Sequence, residues 1–340
     1  MLTGCGDDGK LPVEIVLTSD FLPNEVFRME GRPCMKTEIM TYLVNCENQY
    51  SEVFGNQIWD VQLKDQPLKD RYKETILARI AQIKAMNILA EQQYGITLSE
   101  DEEQRVSAAG KEYYASLSEG ERIFLDCTQD SITALYREFA IADKLYKAIT
   151  AGVQPEISDD EARTITVKSI LFKTYSLDAS GNRVAFGPEE KGAQYKNALL
   201  CKAKLDEGEE FDTMITMYNE DSKSEYSFRR GVMPKIYEDT AFALGENEIS
   251  DVIETEYGYH IIKCLSTFNQ EETDANKLVI MEDKKQEVFD GIYDSFVSTL
   301  TSNLNQPLWD SIEYVPSGLV TTTSFFDIYD KYFIVSTQSN

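Results

Sequence analysis

Three long stretches of this chain repeat their apolar residues at helical spacing, and the third is separated from the first two by a segment of different character. Tyr72, Ile76, Ile80 and Ile83 share one face of 71–94, a stretch that Gly95 ends. Ile132, Leu135, Tyr136, Phe139, Ala142, Tyr146 and Ile149 stripe 131–150, and Val288, Phe289, Ile292, Tyr293, Phe296 and Leu300 stripe 281–304, before Pro307. Such a stripe is stable only when buried against another element. The helices of 37–150 offer the third stripe a surface, so the intervening segment is expected to be an insertion in a mostly helical domain that a C-terminal helix completes. The aromatic tail, with Trp309, Phe325, Phe326, Tyr329, Tyr332 and Phe333, is too apolar to be a free linker.

The boundary falls at Gly152-Val153-Gln154-Pro155, which breaks the helical pattern. Beyond it, 167–172 is apolar and β-branched, as a buried strand requires. Residues 195–205 carry Ala198, Leu199, Cys201 and Leu205 at helical spacing and stop before Asp206-Glu207-Gly208. Two further strand candidates, 249–253 and 257–265, flank a turn rich in Glu, Thr and Gly. This order predicts a small α+β domain, helices against an antiparallel sheet. The acidic runs at 100–103 and 159–161 follow Ser99 and Ser158 and are expected to be helix caps, not metal ligands.

His260, the only histidine, stands in Thr255-Glu256-Tyr257-Gly258-Tyr259-His260-Ile261-Ile262-Lys263. Upstream lie Phe228-Arg229-Arg230-Gly231-Val232-Met233, then Tyr237, then Ala241-Phe242-Ala243-Leu244-Gly245 and Glu248-Ile249-Ser250. Gly208-Glu209-Glu210-Phe211, Met217-Tyr218-Asn219-Glu220-Asp221 and Lys168-Ser169-Ile170-Leu171 precede them in order. Over 163–266 this pattern resembles the parvulin family of peptidyl-prolyl cis/trans isomerases. The resemblance implies that His260, Asp221, Ser169 and Thr255 form the polar side of a proline site, with Met233, Tyr237, Phe242 and Phe228 as its apolar walls. It implies no cofactor and no metal. Two departures stand out. Ser169 occupies the place where the family often has a first histidine, and the usual Gly-rich turn before Phe228 is replaced by Lys223-Ser224-Glu225-Tyr226-Ser227.

The chain has 33 Lys+Arg against 59 Asp+Glu, a formal net charge of −26, which repels nucleic acid and anionic lipid headgroups. The acidic loop also lacks a basic cluster for phosphoserine, so unmodified X-Pro segments are the expected substrates. Among the six cysteines no C-x-x-C occurs. Cys201 and Cys264 lie on apolar faces and are expected to be buried, while the state of Cys34 and Cys46 is left open. Leu2-Thr3-Gly4-Cys5 resembles the lipobox of bacterial lipoproteins, which implies a lipid on Cys5 and a membrane partner through it. No signal-peptide core precedes that Cys in the sequence, so the resemblance implies that a leader was removed.

Helices on both sides of a parvulin-like segment also resemble the architecture of PrsA-type foldase lipoproteins and SurA-type periplasmic chaperones. The expected organisation is an attachment site, tether and short strands (1–30), a helical chaperone-like domain (31–155), the parvulin-like domain (156–270), and a C-terminal helix and tail (271–340). The expected function is an extracytoplasmic, lipid-anchored isomerase and foldase for unfolded exported polypeptides. The alternative is a parvulin-like holdase that has lost catalysis. A solute-binding lipoprotein fits poorly, because the repeated βαβ pattern is missing.

Overall fold

The computed structural model describes residues 21–178, 181–313, 318 and 320–334. The Cys5 lipobox, the tether and the first part of the short-strand segment expected within 1–30 lie outside the described residues. Strands β1 (Glu25–Met29) and β2 (Arg32–Met35) form an antiparallel hairpin. Helices α1 (Lys36–Phe54), α2 (Leu68–Leu89), α3 (Glu100–Ser116), α4 (Glu119–Leu125) and α5 (Gln129–Thr150) follow. The last turn of α2 widens into a π turn over Ala90–Tyr94 before Gly95, at φ +59°, ends it. The acidic run of α3 is a cap: the Ser99 hydroxyl accepts from Glu102 N at 3.3 Å, and the Glu102 carboxylate accepts from Ser99 N at 2.6 Å.

After the Ser158-capped helix α6 (Asp159–Ala162) come β3 (Ile165–Lys173) and the small hairpin of β4 (Tyr175–Leu177) and β5 (Arg183–Ala185). Helices α7 (Pro188–Asp206) and α8 (Phe211–Tyr218) lead to β6 (Glu225–Phe228), α9 (Lys235–Ala243), β7 (Ile253–Thr255) and β8 (Gly258–Ser266). The sheet order is β6-β3-β8-β7, antiparallel throughout. Alternation along β3 and β8 splits the core into two faces. Ile170, Phe172 and Ile261 pack with Ala198, Cys201, Leu205, Phe211 and Met214 of α7 and α8. Ile165, Val167 and Ile262 pack with Tyr237, Ala241 and Phe242 of α9 and with Phe228.

The strand expected at 249–253 forms differently. Only Ile249 bridges β8, to Lys263, and the regular strand is Ile253–Thr255. The reason is a side chain: the Ser250 hydroxyl accepts from Ile262 N at 2.9 Å while Ser250 N donates to Ile262 O at 2.8 Å. A hydroxyl thereby takes the place of a ladder carbonyl, and the regular pairing is interrupted there.

The chain continues with α10 (Gln270–Val297), β9 (Ser302–Leu304), α11 (Gln306–Ser311) and α12 (Phe325–Phe333). The helix expected to reach 304 therefore ends at Val297. The Ser298 and Thr299 hydroxyls bond back to Ser295 O at 2.8 Å and Phe296 O at 2.7 Å, closing its last turn. Residues 302–304 pair instead with β1, Leu304 opposite Phe27. Two compact units result. One runs to Val153 and resumes at Lys285; the other is Gln154–Lys284, so α10 supplies residues to both.

In the first unit the aromatic tail is core. Phe325 stacks on Tyr136 with centroids 4.4 Å apart, and Asn45 Oδ1 accepts from Phe325 N at 3.1 Å. Lys84 is buried between Glu38 (2.6 Å) and Glu138 (2.7 Å). Burial alone would lower its ammonium, but those carboxylates more than reverse the effect and hold it charged. Glu47 is fully buried with neither carboxylate oxygen hydrogen-bonded, and that burial pushes its carboxyl up to about 9. Cys34, Cys46, Cys127, Cys201 and Cys264 are all buried free thiols.

Candidate active site

The candidate site forms on the sheet face that α9 covers. In the β3–β8 register Leu171 pairs with His260 and Ser169 with Ile262, so Ser169 and His260 project from the same face as diagonal neighbours. The register depends on Gly258 at the start of β8. Its φ is +138°, and a Cβ there would fall 2.0 Å from the Phe172 carbonyl oxygen. Only glycine lets β8 approach β3 closely enough to put His260 in its place.

His260 is 8 % exposed, and its Nε2 lies 2.8 Å from the Thr255 hydroxyl on β7. Thr255 is itself held, because its Oγ1 accepts from Tyr257 N at 3.1 Å. Burial lowers the imidazole to about 4, with Asp221 pulling weakly the other way, so the ring is neutral at pH 7. The edge of Tyr237 meets it with centroids 5.1 Å apart and planes at 79°. Tyr237 in turn contacts Phe228, and Phe228 contacts Phe242, each at 5.9 Å. Met233, half-buried, packs on the same cluster. The four expected wall residues and the histidine therefore come together.

The polar side is looser than a continuous network. Asp221 accepts from the Tyr226 hydroxyl and from Ser222 N, both at 2.7 Å, and makes no hydrogen bond to His260. Ser169 is buried beside Tyr237 with its hydroxyl unpaired. Burial pushes the Tyr237 phenol up to about 12; nearby Ser169 offsets part of that and Asp221 adds to it. The two hydroxyls are nevertheless not aligned into a hydrogen bond.

Sequence reasoning overlooked the residues that hold the loops. Asn219 Oδ1 accepts from Leu171 N (2.9 Å) and Asp221 N (3.2 Å), pinning the Asp221 loop to β3. An Asn two residues before an Asp at a helix end is an Asx-turn signal that could have found it. Glu238 on α9 accepts from Gly231 N at 2.6 Å and so ties the Arg230–Met233 turn down. The guanidiniums of Arg230 and Arg163 stand over the Phe242 ring at 4.2 and 5.0 Å. Each faces an acid as well, Glu238 at 4.0 Å and Asp160 at 3.3 Å. No local pattern announces those contacts.

Parts of the chain are similar to known proteins. Residues 170–266 match the rotamase family, the PPIC-type PPIase domain. The chain is 28% identical over 148 residues to foldase protein PrsA 1 of Bacillus cereus, covering 41% of this chain and 49% of that one. It is 24% identical over 254 residues to a PrsA foldase of Caldanaerobacter subterraneus, covering 72% and 74%. The first of these alignments spans about half of the relative's length. A solved PrsA from Bacillus cereus covers 79% of this chain and 97% of its own at 20% identity, with a TM-score of 0.39.

Proposed function

We propose, from the premise that residues 170–266 form a PPIC-type parvulin domain in a PrsA-like chain, that this protein is a peptidyl-prolyl cis/trans isomerase and foldase. Its clients are unfolded exported polypeptides with unmodified X-Pro bonds, and it is held outside the cytoplasmic membrane by a lipid on Cys5. The observation that carries the enzymatic reading is the neutral His260, anchored by Thr255 and packed edge-on against Tyr237 in an apolar cluster.

Rotation about an X-Pro bond faces a barrier of roughly 18–20 kcal/mol, set by amide resonance. A catalyst needs neither a covalent bond nor a metal, only better binding of the twisted amide than of either planar form. Met233, Tyr237, Phe228 and Phe242 take the pyrrolidine ring and strip water from the polar planar amide. The neutral His260 adds hydrogen-bonding capacity without a charge that would itself need solvation. A proline-limited refolding assay is expected to show acceleration that Met233→Ala and His260→Ala reduce. No acceleration at stoichiometric protein would remove the claim.

A holdase reading has its own support. Ser169 lacks an imidazole, and Asp221 is engaged elsewhere. In the first unit, a cavity of about 370 Å³ is lined by Tyr50, Tyr72, Phe326 and Arg79, with Val53 and Phe54 exposed on the same helix as Tyr50. If holding is the main activity, suppression of client aggregation survives the His260→Ala, Met233→Ala double variant. Anchoring has a separate test: Cys5→Ser is expected to release the protein from the membrane fraction, and unchanged membrane association would overturn the lipid assignment. Among the described residues no helix is long and apolar enough to cross a membrane.

A further inference from the structure

Three polar atoms on the α9-covered face are sealed from solvent without a hydrogen-bond partner: Ser169 Oγ, Tyr237 Oη and His260 Nδ1. Their residues are mutual neighbours. Tyr237 meets the His260 ring at 5.1 Å and lies beside Ser169, and Ser169 and His260 are diagonal on one sheet face. A buried polar atom left unpaired is a substantial destabilisation. Three of them on adjoining side chains, in the site itself, call for a common partner.

Thr255 fixes the chemistry of the histidine. Its hydroxyl has one hydrogen to give, and it lies 2.8 Å from His260 Nε2 but 3.5 Å from Gly258 O. Its oxygen already accepts from Tyr257 N. The shorter contact takes the hydrogen, which makes Nε2 an acceptor and places the hydrogen of the neutral ring on Nδ1. The unpaired set is then one N–H and two hydroxyls, all able to donate. One water between them satisfies all three, accepting from Nδ1–H and from one hydroxyl while donating to the oxygen of the other.

We propose that Ser169 Oγ, Tyr237 Oη and His260 Nδ1 share one ordered water, and that through it Tyr237 and Ser169 act as positioning residues that, together with Thr255, hold the tautomer and orientation of His260. A buried water with three polar partners is the usual way such atoms are satisfied. A lone serine on β3 is too short to reach the imidazole alone; the tyrosine hydroxyl, brought in from α9, completes the bridge. The consequence for rate rests on the isomerase reading above, whereas the tautomer does not.

Because His260 is the only histidine, a long-range nitrogen-15 correlation spectrum of the full chain contains a single imidazole. The wild type is expected in the Nδ1–H form at pH 7. Tyr237→Phe, which keeps the ring and its packing, and Ser169→Ala are each expected to shift the tautomer ratio. The double variant is expected to match either single one, since both act through one oxygen. Both variants are expected to lower kcat about tenfold with KM unchanged, the effect of about one buried hydrogen bond. Ser169→His in the Tyr237→Phe background is expected to restore activity. A wild-type ring with its hydrogen on Nε2 would overturn the proposal, as would variant spectra that superimpose on the wild type. A tautomer shift in a protein with no isomerase activity would support the shared water and remove only the enzymatic reading.

Discussion

At the scale of single residues, the identities at this site were legible and their partnerships were not. The Gly-Tyr-His phrase already puts a glycine two positions before the histidine, and the structure supplies the reason in the Phe172 carbonyl beneath Gly258. Gly258→Ala is expected to destabilise the second unit by about 2–4 kcal/mol, since both the backbone conformation and the strand approach forbid a Cβ. Calorimetry of the full chain checks this, because the transition of the first unit should stay in place. Met233, Tyr237, Phe228 and Phe242 were expected together only through the parvulin resemblance, since an apolar site and an ordinary core draw on the same side chains, and the structure packs them as one cluster. That Asp221 would bond Tyr226 rather than His260 was not readable, because a carboxylate's partner depends on how a loop closes.

Among elements, those with a local cause were foreseen, and a strand whose only partner lies at the far end of the chain was misplaced. The cap of α3 and the end of α2 at Gly95 are decided within a few residues of themselves. The strand at 302–304 is not, because its partner β1 lies more than two hundred and seventy positions earlier in the sequence, with Leu304 opposite Phe27. In a helical frame Leu300 and Leu304 simply continue a stripe. The tail shows the same dependence: Phe325 is buried by Tyr42, Tyr113 and Tyr136 from α1, α3 and α5. Phe325→Ala is expected to cost about 3–5 kcal/mol of stability in the first unit. A shift of less than about 1 kcal/mol in urea unfolding would mean that the tail is not part of that core.

For the whole molecule, two buried titratable groups give the units opposite responses to acid. His260 binds its proton less readily folded, at about 4, than unfolded, so the second unit loses stability as pH falls from 6.5 towards 4. Glu47 binds its proton more readily folded, at about 9, so the first unit gains stability as pH falls from 9 towards 4.5. Between pH 7 and pH 5, above the range where exposed carboxylates titrate, each effect amounts to roughly 2–3 kcal/mol. Calorimetry is expected to show two transitions moving apart on acidification, and Glu47→Gln is expected to reduce the rise of the first unit alone, with Glu38, whose carboxyl burial also raises, contributing the remainder. Parallel movement of both transitions would contradict the assignment of these two groups.

The amino-acid order alone determined the helix stripes, the Ser99 and Ser158 caps, the strand-rich insertion and, through a family pattern, the apolar residues that cluster beside His260. Each of these follows from spacing within a few turns or from a motif that needs particular side chains. Only the tertiary structure decided that β9 closes on β1, that Glu47 is sealed away unpaired, and that Ser169, Tyr237 and His260 meet without bonding one another. Those outcomes depend on which distant groups are excluded from water together, and short-range periodicity carries no record of that.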